Sequence, residues 1–274
     1  MVNVLSYRQL ISPVLLTKTL LQYRYLLGQL IKRDVLLRYR GAYFGLLWVI
    51  INPLIMLCIF AFVFGYIFHS RWPAHPGSVP YVLNLYCGLI VFYIFSETIG
   101  RAPAAIRGNP NYVKKIIFPL EILPLVPLGA AFIHGLFNSA ILAVALAWTG
   151  HLNITLLLFP VLMLPLIMVG MGLAWFLAAL GVFIKDMSQI VPIFVQMLMF
   201  VSPVFYPASA VPEPYRHFYS LNPLCPVIEA LRAVLAGTTI DWISWGIALI
   251  LGLIIFVAGQ LFFNHSRNEF ADVL

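Results

Sequence analysis

From Ile122 to Ile184 the chain runs for 63 residues without an Asp, Glu, Lys or Arg. In hydrocarbon every backbone N–H and C=O must be satisfied within the fold, so such a run belongs to membrane helices or to a closed barrel. Barrel strands alternate apolar and polar residues over segments of about 10, whereas a helical span needs about 20 consecutive apolar residues. The run is long enough for two helical spans and a turn, which excludes the barrel. Four further stretches, 41 to 70, 72 to 96, 187 to 212 and 242 to 266, are equally free of charge. Charged residues make up 9% of the 274, against roughly a quarter in a soluble domain, and the mean hydropathy is +0.99. The sequence describes an all-α integral membrane protein.

The long run divides at Trp148-Thr149-Gly150-His151-Leu152-Asn153, a turn-prone patch with an interfacial aromatic. Six transmembrane helices result, at about 43 to 68, 80 to 100, 122 to 147, 154 to 184, 188 to 206 and 242 to 263. Of the 16 Lys and Arg, 13 then fall on the side of the N-terminus, leaving Arg71, Arg216 and Arg232 on the other. The positive-inside rule places both termini in the cytoplasm. The net charge of +7 reads as an orientation signal with affinity for anionic membrane lipids, with no need of nucleic acid. Nothing at the start resembles a signal peptide, so residues 1 to 40 are expected to be retained as a cytoplasmic interface segment. Within it, residues 15 to 33 place Leu16, Leu20, Tyr23, Leu27 and Leu30 on one helical face and Lys18, Gln22, Gln29 and Arg33 on another, the pattern of an amphipathic interface helix. Cys58, Cys87 and Cys225 lack paired spacing and suggest neither a disulfide framework nor a zinc site.

Residues 207 to 241 are apolar enough to enter the membrane yet contain Pro212, Pro214, Pro223, Pro226, Glu213, Glu229 and Arg232. Two short re-entrant helices on the outer side are expected before the last span, with Glu229 and Arg232 able to pair at i, i+3. The chain is read as one membrane domain, 1–274: an interface segment (1–40), spans one to five (41–206), the re-entrant gate region (207–241), span six (242–263) and a cytoplasmic tail (264–274).

Chemistry is nearly absent from the spans. Glu97 sits near a span end, where pairing with Arg101 or snorkelling is expected, and His134 is expected to hydrogen-bond a neighbouring helix. No catalytic residue set, metal cluster or phosphate-binding loop is present; the only Lys followed by Ser or Thr is Lys18, preceded by Thr17 rather than Gly. If this chain moves a substrate uphill, the drive must come from a partner through a cytoplasmic surface. One segment suits that role. Asn109 is a good helix N-cap, Pro110 fits the first turn and Pro119 ends helical geometry at Phe118. These signals frame a short coupling helix over about 110 to 117, bearing Tyr112, Val113, Lys114 and Lys115. So short a helix is unstable alone and must dock on an ATPase partner or rest on lipid headgroups.

Aromatics cluster in span one, as Phe44, Trp48, Phe62 and Tyr66, and near the outer end of span five, as Tyr206, Tyr215, Phe218 and Tyr219. Interfacial belts account for such residues; aromatic faces also suit a sliding sugar chain.

With these features in place the sequence resembles the permease subunits of ABC-type polysaccharide exporters, which include O-antigen, capsule and teichoic acid exporters. The motifs are Arg33-Asp34; Arg38-Tyr39-Arg40-Gly41 leading to Gly45, Trp48 and Asn52-Pro53; Asn109 through Pro124; Lys185-Asp186 with Gln189; Ser202-Pro203-Val204-Phe205-Tyr206-Pro207; and Leu221-Asn222-Pro223-Leu224 continuing to Glu229 and Arg232. The resemblance implies a permease homodimer in the bacterial inner membrane, joined to two separate subunits that bind ATP and Mg. The substrate would be a polysaccharide linked to a polyprenyl diphosphate, O-antigen first, with capsule, teichoic acid or a small lipid or drug as alternatives. It also implies an aromatic channel over Phe44, Trp48, Phe62, Tyr66 and Tyr206, an outer gate at Asn222, Pro223, Glu229 and Arg232, and Arg38 and Arg40 at the headgroup. A glycan-modifying enzyme would have only Glu213, Glu229 and Asp241 to draw on.

Overall fold

A computed structural model describes residues 21–69, 79–114, 118–215 and 222–274, and all regular structure in them is helical. The helices are α1 (Arg24–Arg38), α2 (Trp48–Phe60), α3 (Tyr81–Arg101), α4 (Ala104–Arg107), α5 (Pro110–Val113), α6 (Leu125–Trp148), α7 (Phe159–Leu162), α8 (Leu164–Phe183), α9 (Met187–Val201), α10 (Leu224–Ala236), α11 (Trp242–Ser266) and α12 (Phe270–Val273). Five continuous helical stretches are long and apolar enough to cross a membrane: Gly45–Ile67, Tyr81–Arg101, Leu120–Trp148, Ile154–Phe183 and Trp242–Val273. The span expected over 188 to 206 differs. Helix α9 has only 15 residues, about 22 Å of rise against a hydrocarbon core of about 30 Å, and the chain continues beyond it without helix.

Residues 83–92 of helix α3 are buried on every side, and this stretch is the core. Leu85, Tyr86, Cys87, Leu89, Ile90 and Val91 are each at most 1% exposed. Helices α8 and α11 approach until backbone meets backbone: a Cβ at Gly172 would collide with Ile255 O, and one at Gly259 with Gly172 O. Lipid tails are as apolar as Leu, so membrane helices associate by close packing rather than by hydrophobic burial, and small residues permit it. A Cβ at Gly181 would likewise strike Pro103 O, beside α4.

Helix α1 runs five residues past the expected boundary. Leu30 is buried, Tyr23 and Leu27 are half-buried, and Gln22, Gln29 and Arg33 are exposed; Leu16, Lys18 and Leu20 lie outside the described residues. Ile31 fills the space beside Gly129 of α6. Of the two short helices expected before the last span, α10 is present, closed by left-handed Gly237 (φ 65°). Residues Ala208–Ala210 and Glu213–Tyr215 instead form single 3-10 turns, because Pro212 and Pro214 remove N–H donors from any longer helix; 216–221 lie outside the described residues. The segment expected as a cytoplasmic tail, 264–274, is helical as far as Val273. Helix α11 continues to Ser266, and Phe270 of α12 is fully buried against Phe263 and Phe183, with ring centroids 5.4 and 6.0 Å away. Arg267 pairs with Glu121.

Candidate functional site

Helix α5 follows α3 and α4 through Gly108. Asn109 occupies its N-cap position, but the expected side-chain cap is not made: Nδ2 donates backwards to Ala105 O at 3.0 Å, serving the end of α4. The described helix is also shorter than expected, Pro110–Val113 with Lys114 closing the turn; Lys115 lies outside the described residues. Val113, on the expected coupling helix, is buried in the chain's own cluster with Ile106, Ile122 and Leu123. Tyr112 stacks on Phe118 at 4.4 Å, and its hydroxyl accepts from Arg33 Nη1 at 3.1 Å. Pro110, Asn111 and Lys114 face outward.

Beside α5, three helices share a polar network. Glu97 of α3 meets Arg38 of α1 at 2.5 Å, Arg101 at 3.4 Å and His134 of α6 at 2.8 Å. Arg101 reaches Asp34 of α1 at 2.6 Å. His134 Nδ1 lies 2.8 Å from Glu97 Oε2 and 3.1 Å from Arg38 Nη1, and Nε2 lies 3.4 Å from Tyr39 OH. The network continues along α6, where Asn138 Nδ2 donates to His134 O and Tyr86 OH to Asn138 Oδ1. The Tyr39 hydroxyl, outside the spans, is pushed above its ordinary pKa by burial, an effect Arg38 opposes and Glu97 reinforces. Arg38, expected at a headgroup, gives Nη1 to the Glu97 carboxylate while its side chain stays 47% exposed, and Arg40 is exposed as well.

At the opposite end, the segment after α9 explains why so short a helix is tolerated. Ser202, Pro203 and Val204 are buried, and non-helical backbone at membrane depth needs protein donors for its carbonyls. Tyr206 OH donates to Phe200 O and Val201 O, Tyr81 OH to Phe205 O at 2.7 Å, and Arg232 to Val204 O at 2.8 Å and Tyr206 O at 3.4 Å. Arg232 Nε also donates to Asn84 O, and Nη1 pairs with Glu229 at 3.1 Å. Asn222 ties Ser202 Oγ (2.8 Å) to Leu224 N (3.0 Å), starting α10 beside Pro223. Gly88 leaves room for the guanidinium, since a Cβ there would lie 2.8 Å from Nη2. Tyr206, expected along a channel, has its hydroxyl engaged in closing α9.

The remaining aromatics stand on the least covered span. Only 6% of the Gly45–Ile67 window is buried within the chain, against 78% for α3. Phe44 meets Trp48 edge-on at 6.0 Å, while Phe62 and Tyr66 stack at 5.9 Å within a π-helical segment, Ala61–Ile67. Asn52 is exposed midway along this span, and α9 exposes Gln189, Ile193, Phe194, Gln196 and Met197. Of the acids an enzyme might have used, Glu229 is paired with Arg232 and Asp241 caps α11. Asp241 accepts from Ser244 Oγ and from the backbone of Ser244 and Ile243, which holds its carboxyl below the ordinary range.

The profile of the ABC-2 type transporter family matches residues 25–236, from the second residue of α1 to the last of α10. The chain belongs to this family. Its relatives include the O-antigen export system permease protein RfbA of Klebsiella pneumoniae, 24% identical over 239 residues (86% of this chain, 90% of that protein). RfbA of Myxococcus xanthus is 27% identical over 86% and 90%. The polysialic acid transport protein KpsM of Escherichia coli is 30% identical over 75% and 78%. This ABC-2 permease is thus a multi-pass membrane protein homologous to O-antigen and capsule export permeases. Sequence reasoning found Glu229 with Arg232 and the start of α5 at Pro110. It missed the meeting of Arg38, Glu97 and His134, which lie 59 and 37 residues apart, and the carbonyls that Arg232 and Tyr81 serve.

Proposed function

We propose that this permease exports a polysaccharide linked to a polyprenyl diphosphate, O-antigen first, across the bacterial inner membrane, both termini lying in the cytoplasm. The observation that carries the reading is similarity to O-antigen permeases over 86% of the chain and 90% of their length. The similarity to KpsM supports capsule polysaccharide as the second reading. Two copies pair through the uncovered Gly45–Ile67 span and α9, whose aromatic and amide side chains offer a sliding sugar contact area without trapping charge. Two separate subunits bind ATP and Mg and dock on α5. The deciding experiment deletes the gene and scores surface O-antigen and capsule separately. Complementation should restore one of them, and the purified chain should hydrolyse ATP only with its partner subunit. Restoration of neither polymer would end the reading.

Two predictions bear on the assembly. Lys114→Glu should insert and fold normally but lower partner-dependent export about tenfold or more, the size of a lost charged interfacial contact. Val113→Asp should instead lower the yield of folded protein, because its charge falls inside the chain's own core. Export assays beside detergent gel filtration separate the two. Cys58 is exposed on α2 whereas Cys87 and Cys225 are buried, so a membrane-permeant bismaleimide should trap a dimer through Cys58 that vanishes in Cys58→Ser.

A further inference from the structure

Within the Glu97 network one atom has two incompatible neighbours. His134 Nδ1 lies 3.1 Å from Arg38 Nη1 and 2.8 Å from Glu97 Oε2. A guanidinium only donates and an ionised carboxylate only accepts. Nδ1 holds either a lone pair or a hydrogen. With the lone pair it accepts from Arg38 and faces the carboxylate unfavourably; with the hydrogen it donates to Glu97 and sets one N–H against another. It cannot bond both neighbours, so the arrangement has two states. Tyr39 does not distinguish them, because its hydroxyl, 3.4 Å from Nε2, both donates and accepts. Arg38 does.

Charge decides between the states. Facing His134 are Arg38 and Tyr39 of α1, with Asp34 one turn back, and Glu97 and Arg101 of α3; Tyr86 of α3 is reached through Asn138. Helices α2 and α8 also pack on α6, and between them they bring only the Cys58 thiol as a titratable group. Without His134 the cluster therefore balances two guanidinium ions, Arg38 and Arg101, against two carboxylates, Glu97 and Asp34. Protonated His134 donates from both ring nitrogens, takes Glu97 Oε2 through Nδ1 and leaves one positive charge in excess. Uncompensated charge is costly where water is scarce, so the most accessible cation departs. The side chains of His134 and Glu97 are 12% and 14% exposed, and Arg101 is held by Asp34 at 2.6 Å; Arg38 is 47% exposed. Arg38 is also the last residue of α1, just before the turn into the first span. That turn uses left-handed Gly41 (φ 86°) and Gly45 (φ 48°), conformations that residues with a Cβ disfavour. A Cβ at either glycine would meet nothing within 4 Å, so no side chain packs against the turn there.

We propose that His134 is a proton-operated latch on α1. Neutral, it leaves Arg38 on Glu97 and fastens the turn into the first span to α3 and α6; protonated, it takes the carboxylate and releases that turn. Histidine is the side chain whose charge ordinarily changes between about pH 5 and 8, so acidification at the α5 end unfastens the entrance to the first span. The inference does not depend on which polymer is exported.

The test follows a nitroxide on Leu37→Cys in a Cys58→Ser background, with the full-length protein in phosphatidylcholine nanodiscs. Leu37 is 52% exposed, whereas Cys87 and Cys225 are buried and stay unlabelled. The ratio of mobile to immobile label should rise about fivefold between about pH 8 and pH 5.5, the change in an equilibrium expected from losing one partly exposed ion pair. His134→Gln has no charge to gain and should stay immobile across the range. Arg38→Gln lacks the anchor and should be mobile at every pH. A nitroxide on Ile243→Cys, 78% exposed in the first turn of α11, should show no change. Three results would each overturn the proposal: no rise in the protein that retains His134 and Arg38, a rise that survives in His134→Gln and so belongs to Glu97 or Asp34, or an equal rise at residue 243, which would be general loosening. Where His134→Gln yields no folded protein, Arg38→Gln decides, since a ratio there that still climbs as pH falls shows that Arg38 is not what the proton releases.

Discussion

Gly259→Leu should leave little folded protein, and its milder relative Gly259→Ala should lower the thermal midpoint by on the order of 10 °C. A Cβ at this position would collide with the carbonyl of Gly172. Overpacking against a flexible side chain typically costs about 1–3 kcal/mol because the neighbour can rotate away. Here the obstacle is the backbone of α8, so the whole helix must retreat and every contact along the pair is lost with it. Total stabilities are only about 5–15 kcal/mol, and the α8–α11 contact holds the last span to the rest. Gly246 on the same helix provides the comparison: a Cβ there would meet nothing within 4 Å, and Gly246→Ala should unfold no earlier than wild type. Thermal unfolding followed by gel filtration in detergent reads all three variants. Equal midpoints for Gly259→Ala and Gly246→Ala would show that α8 and α11 do not depend on backbone contact.

Arg232→Leu should have an effect of similar size for an electrostatic reason. The side chain is 4% exposed and serves the carbonyls of Asn84, Val204 and Tyr206 as well as Glu229. Leu has the right apolar character for the site but leaves those carbonyls unsatisfied, at about 1–3 kcal/mol for each that water does not reach. Arg232→Lys should recover only part of the loss, since one ammonium cannot reproduce a planar fork spread over three carbonyls. The damage should begin where α9 ends, so limited proteolysis should cut between Ser202 and Pro212 in Arg232→Leu before it cuts elsewhere. Loss of export with an unchanged thermal midpoint would instead give Arg232 a direct role in passage of the polymer.

Polar side chains tie the helices together at two places. Near α5, Arg33 links α1 to Tyr112 while Asp34 and Arg38 link it to α3 and α6. Helix α5 is therefore joined through α1 to the core. At the far end, Arg232 binds α10 to α3 and to the unwound segment after α9. Between them stands the sparsely covered Gly45–Ile67 span, on which Phe62 and Tyr66 are exposed.

The membrane class, the positions of the long spans and the start of α5 were legible in the sequence because each depends on local chemistry. Charge-free length and the absence of an N–H at Pro110 act on their own neighbours, whatever the rest of the chain does. Glu229 with Arg232 was legible for the same reason, being one helical turn apart. Tertiary structure alone decided where the isolated polar residues meet. Glu97 and His134 each looked solitary because their partners are distant in sequence, and Arg38 looked free for a headgroup because nothing near it is acidic except Asp34. Packing turned Val113 inward, redirected the Asn109 amide to Ala105 and converted the end of span five into a buried unwound segment. A buried charge or carbonyl must find a partner, but the sequence does not say which one until the helices are assembled.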